Sequence, residues 1–130
     1  MLSRTSVSVV WMKNSQNGQW FDLLRLNLDS SYFENKEGVY VIWYTNSTAA
    51  KVIRIGQGLI GMRLREHKSN PQVRQYENFG ALKATWAVAD GVQLTKNELD
   101  GVENFLADTY NPIIGERFPE VLPISVNLIE

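Results

Sequence analysis

The feature that most constrains the fold is an unbroken run of strand-favouring residues from Val39 to Tyr44. Positions on both faces of this run are apolar, which is typical of a strand that is buried on two sides. Turn-forming residues occupy Thr45 to Thr48, and strand character resumes from Lys51 to Ile55. We therefore expect a central strand that forms an antiparallel hairpin with the next strand, which should end at Gly56 and Gly58.

A helix is predicted directly after this hairpin. The segment from Leu59 to His67 has the apolar spacing of a helix whose Ile60 and Leu64 face inward. Residues four positions apart lie on the same ridge of a helix, so Arg63 and His67 should be neighbours.

A third strand and a second long helix complete the predicted core. The residues from Leu82 to Ala89 favour a strand, and the dipeptide Asp90-Gly91 predicts a turn after it. The spacing of Thr95 and Glu98 is that of a capping box, which opens a helix. Asn111-Pro112 should end that helix.

The segments outside this core are less regular. Ser6 to Met12 favours a short strand, the apolar residues between Trp20 and Leu26 favour a short helix, and the whole of 1–36 is expected to be a decoration packed on the core. Near the C-terminus, Phe118 to Pro123 is bounded by a proline, and Ile124 to Ile129 should either add an edge strand or pack over the sheet. The predicted fold class is α/β, with a central three-stranded antiparallel sheet flanked by helices in a single domain, 1–130.

Composition removes several classes of protein. The chain has no cysteine and one histidine, which excludes disulfides, thiolate metal sites and a histidine-rich zinc centre, so a bound metal would need oxygen ligands. The apolar runs are far shorter than the roughly 20 residues that span a bilayer, and the N-terminus lacks a signal-peptide pattern. We expect a soluble, cytoplasmic protein with no membrane partner.

One carboxylate lies where folding alone would favour an apolar residue. Leu99, Val102 and Leu106 mark the apolar stripe of the last helix, and Glu103 falls on the same side. A buried carboxylate is costly unless it is paired, hydrogen-bonded or bound to a metal. A salt bridge to a basic residue and a bound cation both remain open for Glu103.

Taken together, these residues resemble the GIY-YIG nuclease superfamily. The similarity covers roughly 38–112 and rests on order and spacing: Gly38-Val39-Tyr40 in the first strand, Arg54-Ile55-Gly56 in the second, Arg63 to His67 on the following helix, Glu103, and Asn111-Pro112. Arg54 stands where the second motif of the family has tyrosine.

The resemblance implies a metal-dependent DNA endonuclease. Glu103 would hold one Mg²⁺ or Mn²⁺ ion, Arg63 would bind the scissile phosphate, and Tyr40 would take a proton from the attacking water. His67 would accept the proton of Tyr40 or bind the phosphate. Arg54 would replace the hydrogen bond of the missing tyrosine with a positive charge.

The distribution of charge is compatible with DNA as a partner. Between Lys51 and Lys83 lie seven of the 13 Lys and Arg residues but only two of the 14 acids, although the formal net charge is only -1. Such a cluster is either a phosphate-binding surface or an ordinary solvated helical face. The expected non-catalytic phosphate contacts are Lys51, Arg65, Lys68 and Arg74.

Two other functions remain open. A catalytically degenerate GIY-YIG fold would bind DNA or a partner protein, and Glu103 and Arg63 would then form a structural pair. A small-molecule-binding α/β domain has little support, because the chain lacks a phosphate-cradling glycine-rich motif. If the chain is a nuclease, it could be specific for the structure of its DNA substrate, as nucleases of DNA repair are. A protein partner could supply further specificity.

Overall fold

The computed structural model describes residues 6–89, 94–115 and 122–129. Within them, four strands form one antiparallel sheet: β1 (Phe21–Asp22), β2 (Glu37–Thr45), β3 (Ala50–Leu59) and β4 (Ala81–Val88). The α-helices are α1 (Ile60–Lys68), α2 (Pro71–Arg74) and α3 (Lys96–Tyr110), and short 3-10 helices cover Leu23–Arg25, Ser31–Phe33 and Gln75–Asn78. The order across the sheet is β1-β4-β2-β3. None of the described helices has the length and apolar character needed to cross a bilayer.

The predicted hairpin is confirmed, and β2 is indeed a central strand, paired with β3 on one side and β4 on the other. The expectation that Gly56 and Gly58 end the second strand is wrong. Both glycines remain in β3, where Gly56 pairs with Tyr40 and Gly58 with Gly38. The strand continues because β2 still offers backbone partners there, and a missing side chain does not interrupt backbone hydrogen bonding.

One irregularity in β3 sets which side chains share a face. Ile42 pairs with Arg54, but the next residue of β2, Trp43, pairs with Val52, so Ile53 is an extra residue and forms a β-bulge. Directly paired residues point to the same side of a sheet. Arg54 therefore lies on the face of Ile42, which packs with α1, and Val52 lies on the opposite face with Trp43.

The helices α1 and α3 cover opposite faces of this sheet, and each buries the apolar residues predicted for it. Ile60 and Leu64 of α1 are fully buried in the core on one face. On the other face, α3 buries its predicted apolar stripe. The capping box of Thr95 and Glu98 is formed, and the helix ends at Asn111, which adopts the left-handed conformation with φ of 50°.

The N-terminal third differs from its prediction. Ser6 to Met12 is not a strand of the sheet, since its bridge is a single one, from Ser6 to Ser125. The short helix predicted between Trp20 and Leu26 is confined to the 3-10 turn Leu23–Arg25, and the residues just before it form β1, which pairs Phe21 with Ala84 of β4 and makes the sheet four-stranded. The unsatisfied outer edge of β4 accounts for this pairing, because backbone groups at a sheet edge need partners.

The C-terminal segment takes the second of its two expected forms. Ile124 and Val126 are buried against the α3 side of the sheet, and the described residues of this segment add no strand to it. The predicted turn at Asp90-Gly91 and most of the Phe118 to Pro123 stretch lie outside the described residues.

Candidate active site

A polar cavity of about 340 Å³ opens at the edge strand β3, between α1 and α3. All five side chains that the sequence singled out for chemistry line it, although they come from four different elements. The lining residues are Tyr40, Arg54, Gly56, Gln57, Arg63, Glu66, His67, Lys96 and Glu103. We call this cavity the polar pocket.

Tyr40 lies at the bottom of the polar pocket, with only 1% of its surface exposed. Its ring fits there because the strand opposite carries a glycine. A Cβ atom on Gly56 would lie 2.2 Å from the Tyr40 hydroxyl oxygen, which is far inside van der Waals contact. Gly56 is therefore required for the close approach of the tyrosine to the backbone of β3.

The Tyr40 hydroxyl is hydrogen-bonded to His67, with 2.6 Å between the oxygen and Nε2. Burial is the main cause of a raised Tyr40 pKa; the Arg54 charge and hydrogen bond lower it, Glu103 raises it and Arg63 lowers it. The phenol is therefore protonated at neutral pH.

His67 is neutral at the same pH. Its pKa is lowered from 6.5 to about 4, first by burial and then by the charge of Arg54, against a smaller opposite effect of Glu66. A protonated phenol can donate to Nε2 of a neutral imidazole, and in the tautomer that accepts this hydrogen bond the ring proton sits on Nδ1 of His67.

Two buried nitrogens of the polar pocket have no hydrogen-bond partner among the described residues, namely Nε of Arg54 and Nδ1 of His67. Both are donors in the protonation states just assigned. Burying a donor without an acceptor is costly, and such groups are rare in folded proteins. An anion or an ordered water in the pocket would supply the missing acceptor.

Arg63 lies at the outer rim of the polar pocket. Its guanidinium is 3.5 Å from the Glu66 carboxylate, and about half of each side chain is exposed. An exposed pair of this kind contributes little to stability and is easily exchanged for another partner. The Arg63 side chain also packs over Gly58, where a Cβ would lie 3.2 Å from Nε.

Glu103 is a buried carboxylate, 5% exposed, as its position on the apolar stripe predicts. It lies close enough to Tyr40 to raise the pKa of that phenol. Among the described residues, no group of three or more His, Asp or Glu side chains is arranged to hold a metal ion. A hard divalent ion still fits the donor chemistry of Glu103, because Mg²⁺ is commonly held by one or two carboxylates, with water and phosphate oxygens as the other ligands.

The four expected phosphate-contacting residues are not gathered at the polar pocket. Arg65 bonds to Asp29 and to the carbonyl of Leu28, and Lys68 donates to the carbonyl of Leu26. Arg74 is paired with Glu77. Lys51 lies at the far end of β3 from the polar pocket. A role of these residues in binding DNA stays a prediction.

Sequence reasoning missed several residues that complete the polar pocket. Lys96 lies 3.6 Å from Asp100, which also accepts a 2.6 Å hydrogen bond from the amide of Gln57. Nothing in the sequence singles out Lys96, since a lysine in the first turn of a helix is ordinary. Gly56 did carry a signal, because a glycine inside a strand pattern often marks a close approach of another group.

The described part of the chain thus defines an α/β protein with one buried tyrosine–histidine pair beside two arginines and a carboxylate. Searches with this chain found no matching protein-family model, no matching curated protein and no matching solved structure.

Proposed function

We propose that the chain is a metal-dependent DNA endonuclease of the GIY-YIG type. The observation that carries the proposal is the convergence of Tyr40, Arg54, Arg63, His67 and Glu103 on one polar pocket. Apolar burial alone does not account for a cluster of titratable groups of this kind, whereas phosphoryl transfer uses each of its members.

The tyrosine and histidine provide a route for a proton. As water attacks the phosphorus, the Tyr40 oxygen takes a proton from the water while the phenol proton passes to Nε2 of His67. This concerted relay does not require a free phenolate, which the raised Tyr40 pKa disfavours. A bound phosphate would offset the positive charges of Arg54 and Arg63, and the His67 pKa would rise toward neutrality in the complex.

The arginines provide positive charge where negative charge develops. Nε of Arg54 is a buried donor that lacks an acceptor within the described structure, so a phosphate oxygen would satisfy it. Arg63 can leave Glu66 at the rim and bind the same phosphate. A Mg²⁺ or Mn²⁺ ion held by Glu103 would supply neutralisation of the phosphoryl oxygens and stabilisation of the leaving oxygen.

A second candidate function is a catalytically inactive module that binds DNA or a partner protein. The raised pKa of Tyr40 favours it, because the free protein holds this group as a phenol rather than as a base. In that case Arg54 and Arg63 would bind phosphate or a carboxylate without cleavage.

The test is cleavage of supercoiled plasmid and of branched and flapped DNA, with Mg²⁺ or Mn²⁺ against EDTA. The wild type is compared with Tyr40→Phe and Glu103→Gln. Tyr44→Phe and Asp108→Asn are the matched controls, because they make the same chemical changes outside the polar pocket. We expect metal-dependent nicking that falls about 10²- to 10⁴-fold in Tyr40→Phe, since general-base catalysis contributes factors of that size.

Glu103→Gln should lose the metal-dependent cleavage, while both controls should cleave like the wild type. Thermal unfolding of each variant must show a cooperative transition, which establishes that the variant is folded. A well-folded wild type that nicks no substrate with either metal would exclude the nuclease and favour the binding module. Equal cleavage by Tyr40→Phe would remove the proton relay from the mechanism.

A further inference from the structure

A second cavity, of about 240 Å³, lies at the opposite end of β3 from the polar pocket. Its lining consists of three aromatic residues (Trp20, Trp43 and Tyr110), Lys51, and aliphatic residues that include Val52 and Ile129. We call it the aromatic slot. The proton relay and the phosphate-binding groups make no use of it.

The walls of the aromatic slot are held in place. Trp20 meets Trp43 edge to face, with 5.7 Å between ring centroids and 83° between planes. Trp43 is only 9% exposed, so its ring cannot reorient freely. The hydroxyl of Tyr110 accepts a 3.0 Å hydrogen bond from the backbone nitrogen of Ile129. A planar ligand would therefore meet preformed aromatic surfaces, which lowers the entropy cost of binding.

Two lysines accompany the aromatic slot. Lys51 lines it, and the ammonium of Lys13 lies 4.3 Å from the centroid of the Trp20 ring. None of the described residues that line the slot is acidic. An apolar cavity flanked by two lysines matches a ligand with an aromatic part and an anionic part. A nucleotide of a DNA strand has both, in its base and its phosphate.

The two cavities share the same two elements. Arg54 of β3 and Glu103 of α3 line the polar pocket, while Val52 of β3 and Tyr110 of α3 line the aromatic slot. Glu103 and Tyr110 are seven residues apart on one helix, which corresponds to about 10 Å of rise. About three nucleotide steps of a B-form strand cover that rise, and a strand that entered both cavities would also pass the β3 edge, because Arg54 and Val52 lie on opposite faces of the sheet.

We propose that the aromatic slot receives an unstacked nucleobase of the strand whose phosphate occupies the polar pocket, with Lys51 on an adjoining phosphate. This inference rests on the proposed function and narrows its substrate to DNA with single-stranded nucleotides next to the cleaved bond, such as a flap, a branch or a splayed end. A base inside an intact duplex is stacked and cannot enter the slot without the cost of unstacking.

The test measures binding in EDTA, where no cleavage can occur, by fluorescence anisotropy of labelled DNA. Single-stranded and blunt duplex DNA of one length are compared for the wild type, Trp20→Leu, Lys51→Gln and the control Phe79→Leu, which removes an exposed aromatic ring outside the slot. We expect Trp20→Leu to weaken single-strand binding roughly 5- to 100-fold, the range for loss of one base-stacking contact, with little change for duplex DNA. Phe79→Leu should match the wild type.

A second measurement needs no variant. The wild type should bind a thymidine oligonucleotide at least about fivefold more tightly than an abasic oligonucleotide with the same number of phosphates, because only the base can stack. Equal affinity for the two would overturn the proposal even if Trp20→Leu failed to fold. Self-association of the wild type that Trp20→Leu abolishes would assign the slot to a second copy of this chain and overturn the proposal as well.

These outcomes separate the two proposals. If the wild type cleaves DNA in a metal-dependent way but binds abasic and thymidine strands equally, the proposed nuclease activity is retained. Binding of a nucleobase in the aromatic slot is then excluded. Base-dependent binding without cleavage would do the reverse. No binding to any of the DNAs, together with no cleavage in the presence of Mg²⁺ or Mn²⁺, would overturn both.

Discussion

The two ends of β3 are built from the same strand and the same helix, yet their chemistry is opposite. At one end, buried polar groups converge: Tyr40 bonds to His67, and Arg54 keeps a donor without an acceptor in the described structure. At the other end, Trp20 and Trp43 form an apolar slot. The first end holds groups that lower stability unless an anion or an ordered water satisfies them, and the second contributes core packing.

The comparison shows how stability and chemistry are divided along one strand. Trp43 belongs to the hydrophobic cluster that joins the sheet to α3, whereas Tyr40 belongs to the cluster on the opposite face of the sheet. We therefore expect changes at the aromatic slot to alter the free energy of unfolding without altering the pKa of His67. The first of the three predictions that follow tests this independence, and the other two test the polar pocket alone.

The largest effect is expected for Trp43→Ala. Removal of a buried tryptophan leaves a cavity and should lower the free energy of unfolding by about 3 to 5 kcal/mol. Urea denaturation at low temperature measures the loss. Trp20→Ala is the control, and it should cost less because Trp20 is only half-buried.

The informative second readout is the pKa of His67 in folded Trp43→Ala. Since His67 is the only histidine of the chain, its imidazole proton signals in an NMR titration need no assignment. A midpoint near the wild-type value would support independence of the two ends. A midpoint that moves toward 6.5 would show that the slot and the polar pocket are coupled.

The second prediction concerns pH. The His67 pKa is about 4 in the folded protein against 6.5 for an unperturbed histidine. Between pH 4 and pH 6.5, His67 is therefore protonated in the unfolded chain and neutral in the folded protein. The stability due to neutral His67 is complete above pH 6.5 and is lost as the pH falls toward 4. The loss is at most about 3 kcal/mol.

His67→Gln is the matched variant, because glutamine is polar but does not titrate. From pH 7 to pH 4, the wild type should lose up to about 3 kcal/mol more than this variant in urea denaturation. Parallel stability curves for the two proteins, or an NMR midpoint near 6.5, would contradict the assignment of a buried neutral imidazole.

The smallest effect is expected for Arg54→Tyr, which introduces the tyrosine of the GIY-YIG motif that the sequence resembles. The variant loses the positive charge beside Tyr40, so phosphate binding and cleavage should fall about tenfold, which corresponds to roughly one charge-assisted hydrogen bond. Arg54→Lys keeps the charge and should fall less. Cleavage by Arg54→Tyr at or above the wild-type rate, with unchanged DNA affinity, would mean that charge at this position is not used.

The parts of the fold that the sequence predicted are those with local signals. β2 has a continuous apolar run, and α3 has a capping box and an apolar stripe, so each follows from nearby residues alone. β1 has only two residues, Phe21 and Asp22, and exists because β4 offers them a free edge. No local pattern predicts a pairing that short, so the helix predicted for this segment is found only in the 3-10 turn Leu23–Arg25.

The candidate site divides in the same way. The position of Glu103 on the buried side of α3 follows from helical periodicity. The 2.6 Å contact between Tyr40 and His67 does not, because it depends on how α1 packs across β2 and on the space that Gly56 leaves. Spacing could suggest that these residues share a site. The hydrogen bond between them, and the burial that sets their protonation states, become visible only in the fold.

The bulge at Ile53 makes the hairpin tolerant of one kind of change and sensitive to another. Residues inserted into or removed from the connection at 46–49 lie outside the paired ladder and would leave Arg54 opposite Ile42. Deletion of Ile53 would instead remove the extra residue, and either Arg54 or Val52 would have to exchange faces. Length variation in related hairpins should therefore collect at the loop, and the residue count between Tyr40 and Arg54 can differ without moving the arginine away from the tyrosine.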